Sequence, residues 1–292
     1  MTCVGTVHHV METRAPAVGH LLRDWRTRRR MSQLDLANEA GISARHLSFV
    51  ETGRSRPSRE MVLHLADRLD VPLRERNALL MAGGFAPTFH ATDFAAPEMQ
   101  AVRDAVDRIL AAHEPFPAIL VDRKWNLVAN NNAALLLVEG VAPELLDPPC
   151  NVLRASLHPK GLAPRIVNLD EWTAHILGNL RRQVAVTGDE ELRELADELA
   201  GYATDMGVAD PRPHEGPRAI AMTMRLRTDD GELSFITMIA TFGTALDITL
   251  TELALETFLP ADASTAAALH HRFGSGRFGS GRSGSGRAVE PG

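Results

Sequence analysis

A short stretch of the sequence combines one arginine, two serines and an aromatic residue at the start of a predicted helix. These residues are Ser43, Ala44, Arg45, Ser48 and Phe49, and the spacing of their apolar neighbours places them on the outward side of that helix. A helix that presents its N-terminus in this way can enter the major groove of DNA. Since arginine can donate two hydrogen bonds to guanine, the chemistry indicated is base recognition.

Phe49 is the unusual member of this set, because a large aromatic side chain is placed at an outward position. Two interpretations stay open. The ring either touches the methyl group of a thymine, which is an apolar contact that DNA-reading helices make, or it packs against a neighbouring helix.

Caps and turns mark the helices that must position these side chains. Ser32 is a predicted N-cap for a helix over residues 33–40, Gly41 suits a left-handed turn, and Ser43 is a predicted N-cap for the next helix, which runs to about Thr52. Apolar side chains fill the wedge between the two helices, namely Ile42, Leu47 and Val50, and Ala37 is small because the helices cross closely there. With helices at about 18–29, after Ser58 and after Pro72, the sequence predicts an all-α domain of five helices.

The stretch from Ser32 to Gly53 resembles the helix-turn-helix of the Xre/Cro family, and the resemblance extends over about residues 18–83. It implies a lambda-repressor-like fold and binding to a double-stranded DNA operator. Gln33 matches the position that touches phosphate or an outer base. Arg26 and Glu51 match a frequent buried ion pair that joins the first helix to the recognition helix, which is a structural role.

Three further arginines, Arg54, Arg56 and Arg59, follow the predicted recognition helix. The resemblance implies that they contact phosphate, where cations supply affinity without sequence information. The alternative is an ordinary solvated run of charges.

Charge is distributed unevenly along the chain, whose formal net charge is −6. Residues 14–86 contain 13 Arg and 8 acidic residues, a net of +5, whereas residues 87–271 contain 14 basic and 27 acidic residues, a net of −13. A basic module that precedes an acidic body indicates that one part meets a polyanion and the other does not.

The second half alternates between helical and strand-like patterns. Helices are predicted at about 98–112, 131–138, 151–157, 169–186 and 189–203, and strands at 118–121, 125–129, 220–226, 233–242 and 248–259. This order predicts an α+β domain with a five-strand antiparallel sheet and helices inserted in its middle.

This part contains the runs 117–122 and 128–134 with Trp125, and the run 151–154 followed by Trp172 and Leu180-Arg181. In these residues it resembles a known family, the MmyB-like ligand-binding domain, which is PAS-like and commonly follows an Xre-type reader. The resemblance covers about residues 98–260. It departs from the family pattern near 202–217, which puts the ligand more in question than the fold. The implied ligand is small and hydrophobic, with a fatty acid as one candidate.

A PAS-like sheet covered by helices can enclose such a ligand. The candidate lining residues are large or adaptable apolar side chains, each of which could equally be ordinary core: Trp125, Trp172, Ile176, Met222, Met224, Phe235, Met238 and Phe242. Asn130 and Arg154 are the candidate polar anchors. Their alternatives are a helix cap for Asn130 and an ion pair with a nearby acid for Arg154.

Other function classes find little support in the sequence. Two cysteines, Cys3 and Cys150, exclude a disulfide scaffold and a cysteine-rich zinc site. The 12 histidines show no ligand spacing, and no H-E-x-x-H, phosphate-binding loop or nucleophile elbow occurs. We therefore expect no enzyme, no cofactor and no metal site. The absence of an 18-residue apolar run and of a secretion signal predicts no membrane partner and a cytoplasmic, nucleoid-associated location.

The predicted organisation has five parts: a disordered lead (1–13), the DNA-binding domain (14–84), a linker (85–97), the ligand-binding domain (98–262) and a disordered Gly/Ser/Arg tail (263–292). We expect a bacterial homodimer that regulates transcription in response to a ligand. The main alternative is a regulator whose second domain only dimerises and binds no ligand. An enzyme with an appended DNA-binding module is the remaining hypothesis.

Overall fold

The computed structural model describes residues 17–208, 222–229, 231–243 and 245–274. The chain divides into two compact units. The first consists of the residues up to Thr92 with 185–187 and 244–251, and the second consists of 93–184, 188–243 and the residues from Glu252 onward.

The first unit contains the five predicted helices: α1 (Val18–Arg28), α2 (Gln33–Glu39), α3 (Ala44–Glu51), α4 (Arg59–Arg68) and α5 (Leu73–Ala82). The predicted serine caps are confirmed, because the hydroxyls of Ser32, Ser43 and Ser58 each accept a hydrogen bond from a backbone N–H three residues on. Asp35 also reaches back to the backbone N–H of Ser32, which makes a capping box. These polar ends fix where α2, α3 and α4 begin.

Two glycines set the geometry around α3. Gly41 has φ +64°, so the predicted left-handed turn between α2 and α3 is confirmed. A Cβ on Gly19 would lie 2.2 Å from the carbonyl oxygen of Val50, so α1 crosses α3 at a distance that only glycine permits. Leu36, Leu47 and Val50 are fully buried in the core that results.

The first unit extends beyond α5. The side chain of Asn77, 9% exposed, donates to the carbonyl oxygen of Phe89 and accepts from the backbone N–H groups of Thr88 and Phe89. The hydroxyl of Thr92 donates to Asp247 at 2.7 Å, in the segment that precedes a short helix at 248–251. Residues 85–92, predicted as linker, are thus tied to the helical unit by hydrogen bonds.

The later elements, in chain order, are α6 (Gln100–His113), β1 (Ala118–Val121), β2 (Leu127–Asn130), α7 (Val152–Leu157), α8 (Leu169–Thr187), α9 (Glu190–Asp205), β3 (Thr223–Thr228), β4 (Gly231–Thr241), α10 (Ile248–Thr251), β5 (Ala254–Pro260) and α11 (Ala263–Phe273). Residues Asn132–Val138 form a 3-10 helix. The five strands make one antiparallel sheet in the order β2-β1-β5-β4-β3, so the predicted α+β class is confirmed.

One face of the sheet packs on a single apolar core. Ile119 of β1, Phe258 of β5 and Met224 of β3 belong to a buried cluster that also includes Trp172 and Leu177 of α8. In β1 all four residues are buried, which fits a central strand with both faces covered.

Three elements differ from the sequence prediction. Residues 263–273, predicted as part of the disordered tail, form α11, because Asp262 caps the helix and Leu269 is buried at 1% exposure. The predicted strand over 248–259 divides into α10 and β5, since the Asp247 carboxylate accepts from the backbone N–H of Thr249 and turns the chain. Strand β2 begins at Leu127, because Asp122 binds the backbone of Lys124 and Asn126 and Trp125 has φ +66°.

Candidate nucleic-acid interface and apolar cavity

Helix α3 presents the predicted reading residues on one side. Ser43 and Arg45 are exposed, and Ala44, Ser48 and Phe49 are partly exposed. Leu47 and Val50, on the other side, are fully buried. The first turn of α3 holds an arginine and small side chains in the open, which is the arrangement that a groove-binding helix needs.

Phe49 lies against two arginines. The guanidinium carbon of Arg45 is 5.4 Å from the centre of the Phe49 ring, and that of Arg54 is 6.0 Å from it. Such cation–π contacts at exposed sites contribute about 0.5–1 kcal/mol. The ring therefore orders two cations beside α3, a role that neither interpretation of Phe49 from the sequence included.

The predicted ion pair between Arg26 and Glu51 is confirmed. Nε of Arg26 donates to Oε1 of Glu51 at 2.7 Å and Nη2 donates to Oε2 at 2.9 Å, with Glu51 1% exposed. The Glu51 hydrogen bonds raise the pKa of Arg26. Gln33 joins this pair, because its Nε2 donates to Oε2 of Glu51 at 2.8 Å. At the position predicted to touch DNA, the side-chain amide of Gln33 is thus hydrogen-bonded to Glu51 within the protein.

The three arginines after α3 are all exposed but differ in their contacts. Nη2 of Arg56 donates to the carbonyl oxygen of Gly83 at 3.2 Å, and Nη2 of Arg59 donates to the hydroxyl of Thr88 at 2.6 Å. For Arg54 the stacking on Phe49 is the contact found among the described residues. Arg54 therefore has the guanidinium most open to a phosphate.

The second unit contains an apolar cavity of about 260 Å³, near the small end of the usual range for ligand pockets, roughly 300–1,000 Å³. Its wall comes from the sheet, from α7 and α8 and from the segment between β2 and α7. The lining residues that are apolar include Ile119, Trp125, Leu127, Ala134, Leu135, Leu137, Val138, Leu146, Val152, Leu153, Ala155, Leu162, Trp172, Ile176, Met224, Ile239 and Phe258.

Most polar atoms of this wall are engaged with the protein. Nε1 of Trp125 donates to Gln183 and Nε1 of Trp172 donates to Ser156, each at 3.0 Å. Asn179 Nδ2 lies 2.9 Å from His175 Nε2. Burial, and then the charge of Arg182, lower the pKa of His175, which keeps the imidazole neutral near pH 7.

Glu256 is the exception among the buried polar residues of the wall. It is 8% exposed and lines the cavity, and in the described part of the chain its carboxylate has no hydrogen bond or ion pair. Burial alone raises the pKa of this group to about 7. Burial also raises the pKa of the thiol of Cys150, another ionisable residue that lines the cavity. The cavity thus holds one carboxyl group that ionises in the physiological range.

The predicted ligand residues divide into two groups. Trp125, Asn130, Trp172, Ile176 and Met224 line the cavity together. The others lie elsewhere. Phe235 is fully buried core, Met222 packs at the edge of that core, Phe242 is partly exposed beyond β4, and Met238 is 51% exposed. Met238 pairs with Thr257 and thus lies on the face of the sheet opposite Glu256.

The two predicted polar anchors also differ. Asn130 lies on the cavity wall at an exposed position, and its Nδ2 donates to the carbonyl oxygen of Asn131. Arg154 instead holds Glu198, with Nε and Nη2 at 2.8 and 2.7 Å from the carboxylate oxygens. The ion-pair alternative for Arg154 is the contact that the structure contains.

Sequence reasoning missed several polar residues of the cavity, among them His175, Asn179 and Glu256. His175 and Asn179 are one helical turn apart, so the sequence indicates that they lie on the same side of a helix. The spacing does not indicate whether that side faces a cavity or the solvent. Glu256 lies in a predicted strand with Leu255, Phe258 and Leu259, and a charged residue among such apolar neighbours was the available indication.

The described ranges omit 1–16, 209–221, the single positions 230 and 244, and the residues after 274. They contain no group of acidic, His or Cys side chains that could hold a metal ion. They also contain no helix with the length and hydropathy needed to cross a bilayer.

Comparison with known proteins gives two family matches. Residues 102–271 match the MmyB-like transcription regulator ligand binding domain, and residues 17–79 match a helix-turn-helix domain. No curated protein matches the chain. Among solved structures, an RNA-binding light-oxygen-voltage receptor is similar at 15% identity and a TM-score of 0.22, over 87% of this chain and 64% of that chain. The present chain thus spans less than two thirds of that receptor.

The ligand-binding match alone spans more than half of the chain, and the helix-turn-helix match falls on the unit that contains α2 and α3. The protein therefore belongs to the MmyB-like transcription regulators, in which a DNA-binding helix-turn-helix domain precedes a ligand-binding domain.

Proposed function

We propose that this protein is a sequence-specific regulator whose affinity for its operator changes when a small hydrophobic molecule fills the cavity of the second unit. The observation that carries the proposal is the presence in one chain of an open reading helix, α3, and a largely apolar cavity of about 260 Å³. A fatty acid is one member of this ligand class. The same reasoning assigns the protein to the cytoplasm, at the nucleoid.

For DNA binding, Arg45 is the proposed base-reading residue, with Ser43, Ala44, Ser48 and Phe49 beside it. Gln33, Arg54, Arg56 and Arg59 are the proposed contacts to the backbone or outer bases. The basic composition of this unit supports the assignment, because phosphate neutralisation supplies much of the affinity for DNA. Phe49 supports it indirectly, by ordering Arg45 before DNA is bound.

We also propose that the second unit joins two protomers. One reading helix covers few base pairs, so specific binding by this class of domain takes two copies on half-sites about one helical turn apart. The net charge of −13 over residues 87–271 disfavours contact of this unit with DNA. A ligand can then regulate by stabilising one arrangement of the two readers over another.

Two measurements test the proposal. Selection of duplexes from a random pool with the whole chain should return a defined motif, and Arg45→Ala should relax that motif at one position. Arg68→Ala removes another exposed arginine from the same unit and should leave the motif unchanged. If the Arg45→Ala motif matches that of the unaltered chain, α3 does not read the bases as assigned.

The second measurement concerns the ligand. Native mass spectrometry of the protein purified from its own host should show an added mass of a small molecule, and removing that molecule should change operator affinity. A protein that carries no small molecule, dimerises fully and binds its operator identically under all ligand conditions would support the alternative, in which the second domain only dimerises.

A further inference from the structure

We propose that the cavity binds a small amphiphile whose polar end is a protonated amine, and that Glu256 is the group that binds this amine. The inference rests on the proposed ligand-binding function and makes the ligand class narrower.

The carboxylate of Glu256 lies among apolar side chains, which favours a partner that comes from a bound ligand. On β5, Glu256 pairs with Ile119 of β1 on one side and with Ile239 of β4 on the other. Directly paired residues on neighbouring strands place their side chains on the same face, so two branched aliphatic side chains flank the carboxylate. Phe258 follows on that face. Burying a carboxylate among such neighbours is costly unless a partner satisfies it.

The charge of the wall selects the sign of that partner. The lining contains no arginine or lysine in the ranges that the structure describes, and His175 is neutral near pH 7 because burial and Arg182 lower its pKa. A ligand carboxylate would thus find no cation there and would meet Glu256, with which it repels. An ammonium would form an ion pair in a medium of low dielectric constant. Trp172 and Phe258 also line the cavity, and aromatic rings attract a cation that lies over their faces.

The volume of the cavity limits the size of the hydrocarbon part. At about 260 Å³ the cavity is near the small end of the usual range for ligand pockets, roughly 300–1,000 Å³, which favours a short hydrocarbon chain. Octylamine has such a chain. 1-Octanol and octanoate have nearly the same hydrocarbon chain with a neutral and a negative end, so the three compounds separate the polar end from the apolar body.

The first test is calorimetric titration of the whole chain with octylamine, 1-octanol and octanoate at pH 8. At this pH Glu256 is mostly ionised, since its pKa is about 7, and an alkylamine, like lysine with its pKa of about 10.4, is still protonated. Octylamine should bind at least tenfold more tightly than each of the other two.

The second test uses a variant. Glu256→Gln should reduce octylamine affinity at least tenfold, to the level of 1-octanol, and should leave 1-octanol affinity unchanged. Glu194→Gln is the matched control, because it removes one acidic charge from an exposed position on α9 and should change neither affinity. A thermal melt of each variant establishes that it is folded.

The outcomes are distinct. Equal binding of the three probes to the unaltered chain, or preference for octanoate, would overturn the role of the amine and leave the hydrophobic ligand standing. If none of the three probes binds, both the role of the amine and the hydrophobic ligand are contradicted. The comparison of the three probes on the unaltered chain needs no variant. It therefore tests the inference even if the Glu256→Gln protein fails to fold.

Discussion

Arg26 and Glu51 form a two-bonded ion pair in which the carboxylate is 1% exposed, and the pair joins α1 to the last residue of α3. Removing one partner of a buried pair leaves the other charge uncompensated and costs about 3–5 kcal/mol. We therefore predict that Glu51→Ala lowers the free energy of unfolding of the first unit by about this amount. DNA binding is then lost because the unit unfolds, and a urea titration monitored by circular dichroism measures the change.

Gln33→Ala is the matched control for this prediction. It removes the third hydrogen bond to Glu51 but leaves the arginine in place, so its cost should be smaller, about 1.5–3 kcal/mol for one bond to a charged group. A Glu51→Ala protein with unchanged unfolding and lost DNA affinity would show instead that Glu51 acts at the interface.

Arg54 offers the cleanest test of a phosphate contact. Its guanidinium is exposed and stacks on Phe49. The guanidinium groups of Arg56 and Arg59, in contrast, donate hydrogen bonds to Gly83 and Thr88, respectively. Arg54→Ala should weaken binding to operator and random duplexes alike. It should also reduce the slope of log affinity against log salt by about one. A loss confined to the operator would mean that Arg54 reads a base.

The carboxyl of Glu256 predicts a pH dependence of stability. Its pKa is raised from the usual 4.5 to about 7, so the folded state binds its proton more tightly than the unfolded state. The associated stability is complete below pH 4.5 and is lost as pH rises through about 7. Between pH 5 and 8 this loss amounts to about 2–3 kcal/mol.

The difference in unfolding free energy between the unaltered chain and Glu256→Gln isolates this term. His175, the other ionisable cavity residue near pH 7, acts in the opposite direction, because its lowered pKa makes folding less favourable as pH falls below 6.5. That contribution is common to both proteins and cancels to first order. If the difference stays constant from pH 5 to 8, the carboxyl has an ordinary environment.

The two polar anchors proposed from the sequence should behave differently toward octylamine. Asn130 lines the cavity, and its Oδ1 has no hydrogen bond within the described residues, so Asn130→Ala should reduce affinity roughly twofold to tenfold. Arg154→Ala should leave affinity unchanged, since that side chain is committed to Glu198. The exposed Arg154–Glu198 pair should contribute less than about 1 kcal/mol to stability. Equal effects of both substitutions would place Arg154 at the ligand.

The sequence was sufficient for the fold class and for most of the reading helix, and the reason is local. Serine caps, Gly41 and the apolar spacing of α3 each determine structure within a few residues. Glu256 could not be assigned in this way. Its burial depends on Ile119 and Ile239, which come from strands distant in the chain, and a strand pattern does not reveal whether the space beside it is filled.

The separate contributions of the two units can be tested with a fragment, and the structure determines where to cut. A fragment that ends at residue 86 removes Thr88 and Phe89, the partners of the buried Asn77 amide, which costs about 1–3 kcal/mol. We predict that residues 1–92 fold, unfold at higher urea than residues 1–86, and are monomeric by analytical ultracentrifugation. With one reading helix per molecule, the fragment should bind the operator far more weakly than the whole chain does. A fragment that dimerised and bound the operator as tightly as the whole chain would show that the second unit is not needed for dimerisation or for DNA affinity. Ligand binding to the second unit could then not change operator affinity through the dimer.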